Sequence, residues 1–207
     1  MDRLILFGCG GHAKVVLDAI LARNGEADLT ILDDSEDAEQ RSLLGLPVTG
    51  GRSWLAQGWP QVAVMPAIGG NAPRAALVDW IQGEGRTLAT VIHPSAIVSP
   101  TARLAGGCFL AAGAIVNPEA ALAEGVIVNT AASVDHDCLV GRSSHIAPGA
   151  RLCGNVHIGE RTLIGVGASV APGVRIGNDV IVGAGSAVIR DVPDGATIGG
   201  APARPLK

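Results

Sequence analysis

Five histidines are available for acid–base work: His12, His93, His136, His145 and His157. His136 stands apart, because it lies in Val134-Asp135-His136-Asp137-Cys138 with a carboxylate on either side. A general base for acyl transfer needs an imidazole near neutral pKa, held in one tautomer by an acceptor on its other nitrogen. Asp137 can be that acceptor only if the chain turns a corner here, since consecutive side chains on a strand point to opposite faces. The sequence alone leaves open a plain surface histidine.

A second stretch suited to chemistry is Gly8-Cys9-Gly10-Gly11-His12-Ala13, which follows the apolar run Leu4–Phe7 and opens an apolar-periodic segment. With Asp33-Asp34 about 20 positions later, this is the context of a phosphate-binding strand–turn–helix. Its glycines let backbone N–H groups approach phosphate at a helix N-terminus. The alternative reading is a tight turn and nothing more.

Two kinds of chain must position these residues. Residues 92–193 divide into seventeen consecutive hexads, and every first position is Ile, Leu or Val while every fifth is Ala, Val, Ser, Thr or Cys. A period of six fits neither a helix at 3.6 nor a hairpin meander; it fits a solenoid whose coils stack their inward aliphatics. Gly, Asn and Asp cluster at the corners, where left-handed angles are needed. Such a core needs few aromatic residues, which explains an aromatic content of 2%, no Tyr and 29 Gly.

Residues 1–90 alternate short apolar runs with helical periods. Strands are predicted over Leu4–Phe7, Leu29–Leu32, 62–65 and 87–91, and helices over 14–23 and 72–82, with a further helical turn over 53–58. Residues 35–47 read as loop, and a short element is expected from Val48 onward. The pattern predicts a small Rossmann-like parallel sheet of about four strands with helices on its faces. The expected organisation is thus an α/β domain over 1–90, a parallel β-helix over 91–198 and a tail over 199–207.

The net charge of −4, without a basic block, gives no electrostatic case for nucleic acid or an anionic membrane surface. There is no 18-residue apolar run and no signal-like N-terminus, so a cytoplasmic protein is expected. The four cysteines show no CxxC spacing, and Cys108 and Cys138 occupy the small fifth position, so a disulfide framework is not indicated.

Several segments together carry a resemblance: Gly-Gly-His after the first strand, Asp-Asp after the second, Gly69-Gly70-Asn71 after the third, and the appended hexads. The chain resembles the bacterial sialic acid O-acetyltransferase and nucleotide-4-amino-sugar N-acetyltransferase family of hexapeptide-repeat acyltransferases. The resemblance implies a left-handed β-helix with three hexads per coil, acetyl-CoA as co-substrate, and a homotrimer with sites between adjacent solenoids. It makes His136 the general base and Asp137 its orienting acid. Gly10, Gly11, His12 and Gly69 would line the phosphate and sugar, and Asp33 and Asp34 the base or ribose. His145, Gly154, Val166 and Ala184 would contact the cofactor, with the Gly154 region binding the oxyanion through backbone N–H groups. For the tail 199–207 two readings stand: Arg204 and Lys207 meet the cofactor's phosphates, or the tail only caps the solenoid. Ala13 departs from the family's usual glycine, and Cys9-Gly10 from its usual preceding residues.

His145 falls nine residues after His136, half of an 18-residue coil, so both serve one site only where two subunits meet. The implied reaction is N-acetylation of a nucleotide-linked 4-amino-sugar of the UDP-4-amino-4,6-dideoxy type. O-acetylation of a sialic acid, a GDP-linked acceptor, or a non-catalytic sugar-nucleotide-binding module are the alternatives. Zinc carbonic anhydrases share this solenoid, but their histidine pair is absent: the gaps here are nine and twelve residues. No metal is expected. His93 reads as structural, and His157 as surface.

Overall fold

The computed structural model describes residues 3–24, 28–56 and 62–206. Residues 57 and 58 of the expected helical turn, and Lys207, lie outside them.

The N-terminal part runs β1 (Leu4–Phe7), α1 (Gly11–Asn24), β2 (Leu29–Leu32), β3 (Ser42–Leu43), β4 (Leu46–Gly50), α2 (Arg52–Ala56), β5 (Ala63–Pro66) and α3 (Asn71–Gly83). The sheet order is β3-β4-β2-β1-β5, parallel except for the β3–β4 hairpin. Its central strands are continuously apolar because both faces are covered. Leu6 packs with Val16 and Ile20 of α1, while Ile5 and Phe7 pack with Leu77 and Ile81 of α3.

Two expectations are corrected here. Residues 35–47 are not loop throughout: they hold a 3₁₀ turn over Ala38–Gln40 and the β3–β4 hairpin. The connection is Leu44-Gly45, both at positive φ (47° and 85°), the two-residue geometry that suits strand twist. The sheet therefore has five strands rather than about four. The strand expected over 87–91 reduces to one bridge, Leu88 to Val64, and Val91–Ile92 instead pairs with Phe109–Leu110 in the solenoid.

The solenoid is a triangular parallel β-helix whose strands are two residues long. Each strand pairs with the one eighteen residues on, as in the column Val116, Val134, Leu152, Val170 and Val188. These first-position residues are buried and form one continuous core with the small fifth-position residues. At roughly 1.5–3 kcal/mol for each buried aliphatic, stacking supplies what a single thin coil cannot. Corners turn at the fourth hexad position, where φ is positive even for residues such as Asp137 (59°) and Asn155 (59°).

The repeat tightens at its end. Val192 bridges Ile176 and Thr197 pairs with Ile181, each sixteen residues apart instead of eighteen. The chain then folds back through a cis Ala201–Pro202 peptide into an antiparallel pair with Arg204–Pro205.

The N-terminal sheet and α1 sit on the eight-stranded face of the solenoid. Phe109, Ala111 and Ile127 point outward there and join one buried cluster with Val16, Ile20 and Met65. Arg74 of α3 fixes the junction. It is fully buried, and donates to Gly125 O (2.7 Å) and Ser143 O (2.7 Å) on the solenoid and to Ile68 O (3.0 Å) and Gly69 O (2.9 Å) beside α3.

Candidate active site

The corner between the six-stranded and five-stranded faces carries His136 and Asp137. The left-handed backbone at Asp137 turns both side chains to the same side, and His136 Nδ1 lies 2.8 Å from Asp137 Oδ2. Asp135 works from behind: its Oδ1 accepts the His136 N–H (2.8 Å) and the Asn117 side-chain amide (2.8 Å). The Asn117 bond and the His136 N–H hold the Asp135 carboxyl below the ordinary range. The hydrogen bond to Asp137, together with the two nearby negative charges, raises His136 above its usual value. This leaves an exposed imidazole whose Nδ1 is engaged by Asp137, so that Nε2 is the nitrogen left to act as a base.

One coil further on, the same corner presents Gly154. A Cβ built there would lie 2.5 Å from His136 Cε1 and Nε2. The ring thus rests on the bare backbone of the next coil. The Gly154 N–H donates to no acceptor among the described residues, whereas the N–H groups of Cys153 and Asn155 are engaged.

The strand ends of the N-terminal sheet form the second part of the site. Gly8 has φ 131° and passes so close to Ala67 that a Cβ would sit 2.6 Å from its carbonyl oxygen, so a side chain is excluded. Gly10 and Gly11 have open space above them at the start of α1, which leaves that helix end accessible. Asp33 faces the loop: Oδ2 accepts the Cys9 N–H (2.7 Å) and Oδ1 accepts the Ser35 N–H and hydroxyl (3.0 and 2.6 Å). Burial alone would raise its carboxyl, but the bonds from Ser35 and Cys9 hold it below the usual value. Asp34 turns to Arg52, accepting its backbone N–H (3.0 Å) and pairing with Nε (2.9 Å). Between them opens a cavity of about 350 Å³ lined by Asp33, Asp34, Gln40, Gly51 and Arg52.

His12 and His145 meet at the junction of the two parts. The His12 ring packs edge-on against Phe109 (5.3 Å) and lies 6.3 Å from the His145 ring. His145 Nε2 is 3.0 Å from the Asn129 side-chain amide, and Gly69 lies on the same groove beside the start of α3. Burial first, then the Arg74 charge, pushes His12 down to about 4 and His145 to about 3, so both are neutral at physiological pH. Within one chain, His145 belongs to the eight-stranded face and His136 to the opposite corner.

The remaining residues are more scattered. Val166 and Ala184 are exposed at successive corners between the eight- and six-stranded faces, and Arg204 is exposed in the tail hairpin. His93 Nδ1 accepts the Ser95 N–H (3.0 Å), and His157 Nδ1 lies 2.8 Å from Arg175 Nη1. The four cysteines are free, and the thiols of Cys108 and Cys138 donate to carbonyls of the next coil. No cluster of three or more His, Cys, Asp or Glu able to hold a metal occurs among the described residues, and no described helix is long and apolar enough to cross a membrane. The sequence alone does not single out Asn117, Asn129 or Arg74, and it marks Asp135 only as a carboxylate flanking His136. Asn117 and Asp135 carry a signal in retrospect, polar residues eighteen apart, while Arg74 reads as an ordinary solvated helix residue.

Comparison with known proteins places these features in a family. The PglD N-terminal domain matches residues 3–81, and the bacterial transferase hexapeptide (six repeats) matches residues 155–190. The chain is 37% identical over 122 residues to the UDP-N-acetylbacillosamine N-acetyltransferase of Bacillus subtilis (strain 168). That match covers 54% of this chain and spans about half the relative's length, 52%. The acetyltransferase domain of PglB from Neisseria gonorrhoeae FA1090, solved in complex with acetyl coenzyme A, is 40% identical with a TM-score of 0.94, each chain covered in full (100%). PerB from Caulobacter crescentus, solved with CoA and GDP-perosamine, is 40% identical with a TM-score of 0.90, covering 100% of this chain and 98% of that one. With the sheet, the left-handed β-helix and the order of the two all shared, the chain belongs to the hexapeptide-repeat acyltransferases that carry a PglD-type N-terminal domain.

Proposed function

We propose that the protein transfers the acetyl group of acetyl-CoA to the amino group of a nucleotide-linked 4-amino-sugar. The observation that carries this reading is the His136–Asp137 pair at an exposed corner, with the bare backbone of Gly154 beneath it. The relatives named above support the substrate class: one is named for a UDP-linked amino-sugar, another was solved with GDP-perosamine.

In the proposed mechanism the sugar amine attacks the thioester carbonyl. The C–N bond forms, the C–S bond breaks, and the coenzyme A sulfur leaves with the proton that His136 has taken up, as free thiol and without an acyl-enzyme. His136 takes the amine proton on Nε2, while Asp137 holds Nδ1–H and stabilises the imidazolium. The free Gly154 N–H is the donor for the developing oxyanion. The nucleotide lies along the N-terminal strand ends, with the base in the cavity beside Asp34 and Arg52 and the phosphates over Gly10 and Gly11. His12, Gly69 and His145 then face the sugar and the thioester. Because His136 and His145 lie on opposite sides of one solenoid, a complete site needs a neighbouring copy, which a homotrimer would supply.

Free-thiol release from acetyl-CoA tests the reading with a UDP-4-amino-sugar, a GDP-4-amino-sugar and a sialic acid offered in turn. Release with a nucleotide amino-sugar is expected. Release with sialic acid alone, or binding of a sugar nucleotide without any release, would count against it.

A further inference from the structure

Arg52, at the start of α2, is held from two sides where it lines the cavity of about 350 Å³ beside the strand ends. Its Nε lies 2.9 Å from Asp34 Oδ2, and its Cζ stands 4.9 Å over the centre of the Trp80 ring of α3. Neither Nη group donates to an acceptor among the described residues. The same cavity is lined by Glu36, Asp37 and Glu39, which follow β2. These three are exposed, and their carboxylates have no hydrogen bond or ion pair among the described residues. Carboxylates repel phosphate, so the part of a nucleotide that suits this cavity is its base.

A planar fork beside free carboxylates asks for a base with two neighbouring acceptors and two neighbouring donors. Guanine has both, since O6 and N7 accept side by side while N1–H and the 2-amino group donate side by side. Uracil has neither pair, because its one donor, N3–H, stands between O2 and O4. Adenine sets a donor next to N7, so a fork would meet one acceptor and one repulsion. Cytosine pairs the acceptors N3 and O2 but has only its 4-amino group to give.

We infer that the acceptor sugar is carried on guanosine diphosphate, and that Arg52 is the residue that selects the base. Its two Nη groups read O6 and N7, and a carboxylate of Glu36, Asp37 or Glu39 takes N1–H and the 2-amino group. This rests on the nucleotide amino-sugar reading above and narrows it, choosing the GDP-linked acceptor over the UDP-linked one. Asp34 and Trp80 act through Arg52. By fixing the plane of the guanidinium they set the fork before the nucleotide arrives. A lysine here would supply a point charge without a fork.

Titration calorimetry with GDP, UDP and CDP tests this on the wild type, Arg52→Gln and Arg52→Lys. The wild type should bind GDP about 10-fold or more tighter than UDP or CDP, within the range that one bidentate base contact supplies. In both variants GDP should weaken by about that factor, while UDP and CDP bind as they do to wild type. UDP or CDP bound as tightly as GDP by the wild type overturns the inference and leaves acetyl transfer to another nucleotide sugar standing. A variant that weakens all three nucleotides alike also overturns it, because Arg52 would then act on the fold or on the phosphates. A GDP preference kept in Arg52→Lys overturns the bidentate contact. A wild type that binds none of the three removes the nucleotide reading beneath the inference, and the inference with it.

Discussion

The imidazole of His136 fills the place where a side chain on Gly154 would begin, with Cε1 and Nε2 both 2.5 Å from that point. A solenoid makes such a seat by stacking, since residues eighteen apart share a corner. The ring is held from one side by Asp137 and from below by the absence of a Cβ.

Gly154→Ala should therefore displace the imidazole without disturbing the core, because the position faces outward. Turnover should fall about 100-fold, the low end of what a positioned base supplies. Combined with His136→Ala it should cost little more. Fully additive losses in the double variant would mean that Gly154 acts independently of the ring.

Asp137 sets the pH range. A base must be neutral to accept a proton, and the Asp137 bond raises the pKa of His136, so kcat/KM should rise with pH and level off above the ordinary histidine value of 6.5. Asp137→Asn removes the largest cause of that rise. Its inflection should move down toward 6.5, with lower turnover at every pH as the ring loses its orienting charge. An inflection that stays in place would detach Asp137 from His136.

The junction should be acid-sensitive. His12 and His145 are held near 4 and 3 when folded, well below the value of 6.5 they regain on unfolding. Their depressed values contribute stability that is full above about pH 6.5 and is lost as pH falls toward 4, at about 1.4 kcal/mol per pH unit for each histidine. Melting temperature measured from pH 7.5 to 4.5 should fall through this window, and less steeply in His12→Gln.

Arg74→Leu is expected to be worse than a typical core substitution. It would strand carbonyls of Gly125, Ser143 and Gly69 without a donor in a buried junction. A loss of about 3 kcal/mol or more follows, read by chemical denaturation. A loss below about 1 kcal/mol would mean that water replaces the guanidinium.

How much of this the sequence announces depends on what enforces it. Inward aliphatics such as Val134 and Leu152 must recur every six residues or the coil does not close, so the solenoid is written openly. The β3–β4 hairpin is not, because a hairpin at the sheet edge whose buried side chains are Leu43 and Val48 needs little pattern. The contact of His136 with Asp137 depends on one left-handed residue, a conformation that non-glycine residues adopt only occasionally, aspartate more readily than most. Docking of the two parts rests on outward Phe109 and Ile127, which resemble isolated exposed apolar residues until the N-terminal sheet covers them. Arg74 is invisible for the same reason, since its acceptors are backbone carbonyls far away in sequence.

The most direct measurement is the turnover of His136→Ala with acetyl-CoA and a nucleotide-linked 4-amino-sugar, followed by thiol release. The account predicts a fall of about 10²–10⁴-fold, with the KM for both substrates little changed. Near wild-type turnover in that variant would contradict it.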